Sequence, residues 1–288
     1  MPRTPAQEIR DLVASDTILM PGVYDAITAR IAARLGFDIV FISGYSVSAA
    51  RLGEPDFGFL TESEMADAAR SVTRVSNAPV IVDADTGYGN AVNVMRTVGD
   101  FQDAGAAGVF LEDQVWPKKC GHFQGKQVIP TAEHAAKIRA AADARGERDL
   151  FIVARTDARQ PLGLDEAIKR CLIYKEAGAD ALFVEAPQSV EELEQIAREL
   201  PPPLVANMIE RGVTPHLSRG ELKDLGFQLI VCPLAALYAA TKAAVKVLTE
   251  LKERETTAAL YDELTTFDEF GELVELEKRY SDEGRYAT

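Results

Sequence analysis

The sequence has few of the features that mark secreted or membrane proteins. Three cysteines in 288 residues make no disulfide framework, and their odd number is typical of a reduced cytosolic chain. No apolar run approaches the ~20 residues that a membrane span needs. The first residues lack the apolar core of a signal peptide. We therefore expect a cytoplasmic protein with no membrane partner.

Positive charge is also scarce, because the formal net charge is −14. This balance argues against binding to nucleic acid or to an anionic membrane surface. It does not exclude an anionic small molecule, since local cations or a metal reverse the field inside a pocket. Neither GxGxxG nor GxxxxGK[ST] follows a predicted strand, so the usual phosphate-binding fingerprints are missing.

Hydrophobic residues make up 47% of the chain, enough for a large core. Short β-rich apolar runs alternate with longer amphipathic segments, and this pattern predicts a parallel sheet covered by helices on both faces. Eight such units favour a closed (β/α)8 TIM barrel, and a doubly wound open sheet is the alternative. The predicted strands are Ile18–Pro21, Ile39–Ser43, Val80–Asp83, Gly108–Glu112, Phe151–Arg155, Ala181–Glu185, Leu204–Asn207 and Leu229–Pro233.

The chain continues after the eighth strand and its helix, Leu234–Arg254. We expect one barrel domain over residues 1–288, in which residues 255–288 form a C-terminal helical extension. Two further helical segments, about Thr257–Phe270 and Gly271–Tyr280, exceed what a barrel needs. Their apolar stripe predicts a homo-oligomer, a dimer or a tetramer. The stripe consists of Phe267, Phe270, Leu273 and Leu276.

Polar residues stand at the carboxyl ends of successive predicted strands, where barrels of this class carry their chemistry. These residues are Ser43-Gly44-Tyr45, Asp83, Asp85, Glu112, Arg155, Glu185 and Asn207. Asp83 and Asp85 face the same way on an extended strand, and two close carboxylates repel unless a cation relieves them. With Glu112 on the neighbouring strand, this all-oxygen set predicts Mg²⁺ or Mn²⁺.

A charged, glycine-rich loop with the sequence WPKKCGH follows the fourth strand and contains Cys120. Lys119 and His122 beside the thiol predict that it favours the thiolate form and is reactive. Arg155 suits bidentate binding of a substrate carboxylate, but an ion pair with Glu185 or Asp157 is an equal alternative. Asn207 is a substrate ligand or a plain turn amide.

The chain resembles the isocitrate lyase / phosphoenolpyruvate mutase superfamily, in its 2-methylisocitrate lyase, 2,3-dimethylmalate lyase and petal-death-protein branch. The matching stretches include VIVDADTGYGN, GVFLEDQVWPKKCGH, VARTDAR and NMIERGVTP. The resemblance covers nearly the whole chain. It implies a Mg²⁺-dependent carbon–carbon lyase that acts on a small carboxylate.

The resemblance also implies a role for individual residues. Asp83 and Asp85 resemble the Mg²⁺ carboxylates, with Glu112 and Asp56 in the metal's shell through water. Cys120 resembles the catalytic thiol of a mobile gating loop, beside Lys118, Lys119 and His122. The residues that the resemblance assigns to the substrate are Ser43, Gly44, Tyr45, Arg155, Glu185 and Asn207.

The chain departs from its relatives at one position, and a second position bears on the substrate. Phe41 stands where several lyases of the family carry a tyrosine, and Pro233 stands where oxaloacetate hydrolases tend to carry a serine. The resemblance therefore implies retro-aldol cleavage of a 2-hydroxy di- or tricarboxylate that bears an alkyl group. Oxaloacetate hydrolysis or decarboxylation and carboxyphosphonoenolpyruvate-type phosphonomutase chemistry are the alternatives. A barrel without catalytic activity would lack the metal or thiol positions, which are present here.

Overall fold

The computed structural model describes residues 3–287. These residues divide into two compact units, one that ends at Ala235 and one that begins at Ala236. The first unit contains every strand and all the predicted site residues.

The first unit is a closed barrel of eight parallel strands in sequence order, in which β1 pairs with β8. This confirms the predicted (β/α)8 architecture and excludes the open sheet. The strands are β1 Ile18–Val23, β2 Val40–Ile42, β3 Val80–Asp83, β4 Gly108–Glu112, β5 Phe151–Thr156, β6 Ala181–Val184, β7 Leu204–Asn207 and β8 Leu229–Cys232.

Most helices begin at capping side chains that the sequence supplies. Thr61 and Glu64, for example, form a reciprocal capping box at the start of α4, which satisfies backbone N–H groups that have no partner within the helix. The helices of the first unit are α1 Pro5–Ser15, α2 Ala26–Arg34, α3 Gly44–Leu52, α4 Glu62–Thr73, α5 Ala91–Asp103, α6 Thr131–Ala144, α7 Arg159–Leu162, α8 Leu164–Glu176, α9 Val190–Glu199 and α10 Arg219–Leu225.

Three of these helices, α1, α3 and the four-residue α7, were not predicted from the sequence. Helix α1 buries Ile9 and Val13 in the same core cluster as the inward side chains of the barrel. Helix α3 starts at Gly44, directly after β2, where the sequence analysis placed the end of a strand. Ser43 is its N-cap and accepts a hydrogen bond from the Ser46 N–H.

The core forms two layers because strand residues alternate between faces. On β5, Ile152 and Ala154 lie in the layer that also contains helix residues, whereas Phe151 and Val153 lie in the inner layer. Arg155 follows Val153 by two residues and so continues the inward face. Period-two alternation thus aims the strand-end residues at the barrel axis.

The second unit contains α11 Ala235–Arg254, α12 Phe267–Leu273, α13 Leu276–Gly284 and a 3-10 turn at Ala258–Glu263. Gly271 lies inside α12, so the break between the last helices falls later than predicted. Within this unit Leu260 is buried, whereas Phe267 is 85% exposed. Among residues 3–287, no helix combines the length and apolar character needed to cross a bilayer.

Candidate active site

The predicted site residues follow the inward faces of the strands. Phe183 on β6 belongs to the inner core, and Glu185 follows it by two residues. The same two-residue step from an inner-core side chain leads to Ser43, Asp83, Glu112, Arg155, Asn207 and Pro233. These residues therefore converge at one end of the barrel.

A cavity that opens to solvent lies at these strand ends. Three inner-core aromatic rings line it, and the centroids of Phe41 and Phe110 are 4.8 Å apart. Its polar lining consists of Ser43, Tyr45, Asp56, Asp83, Cys120, His122, Arg155, Glu185 and Asn207. The third ring is that of Phe183, and the remaining apolar lining includes Ile209, Val231, Pro233 and Leu234.

Three buried aspartates, Asp56, Asp83 and Asp85, form an acidic wall beside the cavity. Lys118 Nζ lies 2.6 Å from Asp56 Oδ1 and 2.8 Å from Asp85 Oδ1. Burial raises the pKa of Asp85 to about 7, because the charge of Lys118 only partly offsets the loss of solvent. Burial acts to lower the pKa of Lys118, but Asp56 and Asp85 raise it well above its ordinary value. The ammonium group therefore stays charged.

The acidic wall has the donor chemistry of a hard divalent cation. Glu112 Oε1 is buried without a hydrogen-bond donor, whereas Asp85 Oδ1 and Glu112 Oε2 are buried beside the cations of Lys118 and Arg155, at 2.8 and 3.2 Å. Across residues 3–287, however, no group of three or more His, Cys, Asp or Glu side chains is placed to hold one ion. Mg²⁺ commonly uses only one or two carboxylates, with water and substrate oxygens completing its shell. The residues fit such a site, in which one or two carboxylates bind the ion directly and the others act through water.

Arg155 sits among three carboxylates in this ligand-free structure. Its Nε lies 2.9 Å from Asp157 Oδ2, and its Nη1 and Nη2 lie 3.2 and 3.4 Å from Glu112 and Glu185. The ion-pair alternative is therefore present, with both expected partners. Because the side chain also lines the cavity, these pairs orient a guanidinium that a substrate carboxylate can reach.

Glu185 connects the arginine to an amide and an imidazole. Asn207 Nδ2 donates to Glu185 Oε1 at 3.2 Å, and its Oδ1 is buried without a partner. His122 Nε2 lies 3.2 Å from Glu185 Oε1. Burial acts to raise the pKa of Glu185, but the charge of Arg155 outweighs it and holds that pKa well below its usual range. The carboxylate is therefore ionised and orients three neighbours.

The Ser43-Gly44-Tyr45 segment begins helix α3, and one of its backbone N–H groups reaches the acidic wall. The Gly44 N–H donates to Asp83 Oδ2 at 3.3 Å. A Cβ at Gly44 would lie 2.9 Å from that oxygen, so only glycine allows this approach. Tyr45 lines the cavity with Ser43.

Cys120 is buried at the cavity, in the loop Trp116–Gln124, which we term the lid. Burial raises the pKa of its thiol to about 12, and the charge of Asp56 acts in the same direction. The charged neighbours in the sequence favour a thiolate, whereas burial in the structure favours the protonated thiol. The charged residues next to Cys120 in the sequence do not surround its sulfur. Desolvation therefore has the largest effect on the pKa of the thiol.

Lys119, a predicted catalytic residue, does not line the cavity. Its Nζ lies 3.4 Å from the carbonyl of Gly125, whereas Lys118 turns inward to the acidic wall. Two further buried residues near Arg155 were not predicted from the sequence. Lys126 and Asp113 each interact with Asp157, Lys126 through its ammonium and Asp113 by accepting the Asp157 N–H. Both stand close to residues of the matching stretches, but no local sequence pattern indicates that their side chains are buried.

The lid backbone packs against the arginine cluster at Gly121. An added Cβ there would lie 2.4 Å from Arg155 Nη2 and 2.5 Å from Glu185 Cγ. Neither atom is free to move, because the arginine is held by carboxylates. We expect Gly121→Ala to lower kcat/KM by about a hundredfold, the scale of an ångström-sized misplacement.

Steady-state kinetics with the best substrate measures this effect. Gly99→Ala is the matched control, because a Cβ at Gly99 in α5 meets no atom within 4 Å. Equal activity of the two variants would show that the lid does not need its observed position for turnover.

Comparison with known proteins identifies the family of the chain. Residues 9–252 match the family described as phosphoenolpyruvate phosphomutase. A carboxyvinyl-carboxyphosphonate phosphorylmutase of Arabidopsis thaliana is 56% identical over 94% of this chain and 81% of its own. A 2,3-dimethylmalate lyase of Eubacterium barkeri is 48% identical over 98% of both chains. A 2-methylisocitrate lyase of Aeropyrum pernix is 43% identical over 98% of this chain and 92% of its own.

Solved structures share the fold over nearly the whole chain. A 2,3-dimethylmalate lyase aligns with a TM-score of 0.93 and 35% identity over 98% of this chain and 95% of its own. An oxaloacetate acetylhydrolase, bound to 3,3-difluorooxalacetate, aligns with a TM-score of 0.93 and 33% identity over 100% and 99%. A phosphonopyruvate hydrolase in complex with oxalate and Mg²⁺ aligns with a TM-score of 0.88 and 28% identity over 98% and 99%.

The chain belongs to the phosphoenolpyruvate mutase / isocitrate lyase superfamily. Its similarity to named lyases makes it an enzyme of the carbon–carbon lyase class. The resemblance inferred from the motifs is thereby confirmed.

Proposed function

We propose that this enzyme cleaves a 2-hydroxy di- or tricarboxylate of the 2-methylisocitrate or 2,3-dimethylmalate type. The products are a 2-oxo acid and a second carboxylate. One observation carries this proposal: a single cavity combines an acidic wall, an oriented arginine and a protonated thiol with an apolar end. A retro-aldol reaction uses each of these features.

In this reaction the C2 hydroxyl loses its proton to a carboxylate of the acidic wall, and C2 becomes a carbonyl as the C2–C3 bond breaks. The electron pair passes to C3 and its carboxylate, where Arg155 and Asn207 stabilise the charge. Cys120 then gives its Sγ proton to C3. Its high pKa keeps that proton in place until a strongly basic carbon forms.

We propose Mg²⁺, or Mn²⁺, as the cofactor. Asp83 and Asp85 would hold it, with Glu112 and Asp56 acting through water. When bound, such an ion supplies Lewis-acid stabilisation to an oxygen at C2. The Gly44 N–H keeps Asp83 oriented beside Asp85.

The apolar end of the cavity favours an alkyl group on the substrate. Pro233 has no backbone N–H, and its carbonyl already accepts a hydrogen bond from Ser46 Oγ at 3.0 Å. Val231 and Leu234 line the same end. Oxaloacetate hydrolysis requires an additional hydroxyl to be bound at C2. An apolar surface offers that hydroxyl no hydrogen bond.

We expect the best 2-alkylmalate or methylisocitrate to exceed oxaloacetate in kcat/KM by more than about tenfold, or roughly 1.4 kcal/mol. We expect Pro233→Ser to raise oxaloacetate hydrolysis. A coupled assay for 2-oxo acid release across alkylmalates, methylisocitrate, isocitrate and oxaloacetate measures both quantities.

The matched control is Pro233→Ala, which also restores a backbone N–H but adds no hydroxyl. Oxaloacetate hydrolysis is the second candidate function, because a structural relative carries that activity. A tenfold preference of the unmodified enzyme for oxaloacetate would establish that candidate and overturn the lyase proposal. Equal hydrolysis by Pro233→Ser and Pro233→Ala would contradict the part assigned to the hydroxyl.

We also propose that the enzyme is a homo-oligomer, a dimer or a tetramer. Its second unit exposes large apolar side chains, with Phe267 and Phe270 85% and 47% exposed. Such surfaces are typical of association sites. Light scattering at micromolar concentration should give a multiple of the 31.3 kDa chain mass. A strictly monomeric mass would contradict this.

A further inference from the structure

Lys126 is a buried lysine that the proposed reaction does not use. It lies two residues after the lid and is 4% exposed. Its Nζ donates to the carbonyl of Gly121 in the lid and to Asp157 Oδ1 at 2.8 Å. One ammonium group therefore joins the lid backbone to a carboxylate at the end of β5.

Asp157 also holds the arginine of the cavity. Its Oδ1 accepts from Arg155 Nη2 at 3.0 Å, and its Oδ2 accepts from Arg155 Nε at 2.9 Å. A single carboxylate oxygen thus receives both the lysine and the arginine. Charge-assisted hydrogen bonds of this kind are stronger than neutral ones and strongly directional when bidentate.

The charge balance of the cluster requires a second cation. Arg155 is shared among Asp157, Glu112 and Glu185, all of them buried. Burial acts to raise the pKa of Asp157, but Arg155 and Lys126 together lower it. Without Lys126, Asp157 would depend on the arginine alone, and Arg155 would be drawn away from its other partners.

We propose that Lys126 is a positioning residue that couples closure of the lid to the orientation of Arg155. When the lid is closed, the Gly121 carbonyl completes the coordination of the ammonium group, and the Gly121 backbone packs against Arg155. When the contact with the Gly121 carbonyl is lost, the ammonium group of Lys126 keeps its hydrogen bond to Asp157. The effect on turnover rests on the proposed lyase function, whereas the effect on the lid does not.

The test measures hydrogen–deuterium exchange of the lid in the full chain. The Cys120 N–H donates to the Asp56 carbonyl and the Lys119 N–H to Gln114 Oε1, both outside the lid, so both amides report lid opening. We expect Lys126→Met to speed their exchange by about tenfold, the effect of one lost charge-assisted hydrogen bond. Amides of β4 and β5 serve as the internal reference and should stay slow.

Lys175→Met is the matched control. Lys175 is also partly buried and donates to a backbone carbonyl, that of Asp180, which precedes β6 at the opposite end of the barrel. We expect it to leave lid exchange unchanged. Trp116 is the sole tryptophan of the chain and lies in the lid, so its quenching by acrylamide gives a second readout.

Asp157→Asn tests whether the effect passes through Asp157, which does not contact the Gly121 carbonyl itself. We expect this variant to loosen the lid, and the double variant with Lys126→Met to loosen it no further than Lys126→Met alone. The double variant removes both charges, so it carries the same test if Lys126→Met leaves Asp157 with Arg155 as its sole cation and fails to fold.

With the best substrate, Lys126→Met should lower kcat/KM while Lys175→Met does not. Unchanged lid exchange in Lys126→Met, or acceleration that is uniform over the chain, would overturn the proposal and leave a purely structural lysine. Additive effects of the two substitutions would also overturn it. An unmodified chain without lyase activity would refute the proposed function, while the exchange experiment still tests the role of Lys126.

Discussion

Replacing Asp85 by asparagine is expected to lower kcat by about a thousandfold or more, because a neutral amide holds a divalent cation poorly and Lewis-acid stabilisation is worth several kcal/mol. Exhaustive chelation of the unmodified enzyme should likewise abolish turnover, and Mg²⁺ or Mn²⁺ should restore it. The variant should not be rescued at ordinary metal concentrations.

Folding of the Asp85→Asn variant provides the control. Because burial raises the pKa of Asp85 to about 7, a neutral side chain is tolerated there in the absence of metal. The melting temperature of the metal-free variant should therefore match or exceed that of the unmodified chain. Mn²⁺ binding, followed by electron paramagnetic resonance, should be lost in the variant. Full activity after chelation would refute the metal site.

Cys120→Ala is expected to lower kcat by about 10²–10⁴-fold, the range attributed to general acid catalysis. The thiol faces the cavity, and its pKa of about 12 keeps it protonated across the working range of the enzyme. The matched control is Cys232→Ala. Cys232 is also a thiol with a raised pKa, of about 11, but it does not line the cavity.

The same pKa predicts the pH dependence. An acid with a pKa of about 12 is protonated below that pH, so Cys120 cannot cause a decline in kcat/KM between pH 7 and 9. Alkylation by iodoacetamide, followed at Cys120 by mass spectrometry, should be slow near neutral pH and still rise with pH above 9. Rapid labelling at pH 7 would show a thiolate and refute the general-acid role.

Sequence periodicity alone predicted most of the fold. Eight apolar runs bounded by glycine and polar residues specify parallel strands, because only buried strands are apolar on both faces. The alternation of side chains along a strand also determines that Asp83, Glu112 and Arg155 point inward. These properties depend on near neighbours in the chain, so they could be predicted before the structure was known.

Helix α3 was not predicted because it lacks a strong local pattern, whereas α1 was overlooked although Thr4 caps it, Pro5 follows, and Ile9 and Val13 repeat at helical spacing. Helix α1 is held by Ile9 and Val13 in the inner core. Helix α3 follows β2 without a linker, so its start at Ser43 resembled a strand end. Helix propensity and apolar periodicity are weak predictors for a short segment that packs against a large core.

The sequence by itself determined the barrel, the polar strand ends and the family. The tertiary structure decided the protonation of Cys120 and which lysine serves the site. It also placed Asp157, Glu112 and Glu185 around Arg155. The physical reason is that desolvation and Coulomb interactions act through space, among groups that the chain separates by tens of residues. Lys118 and Lys119 are adjacent in sequence, but only Lys118 meets the acidic wall.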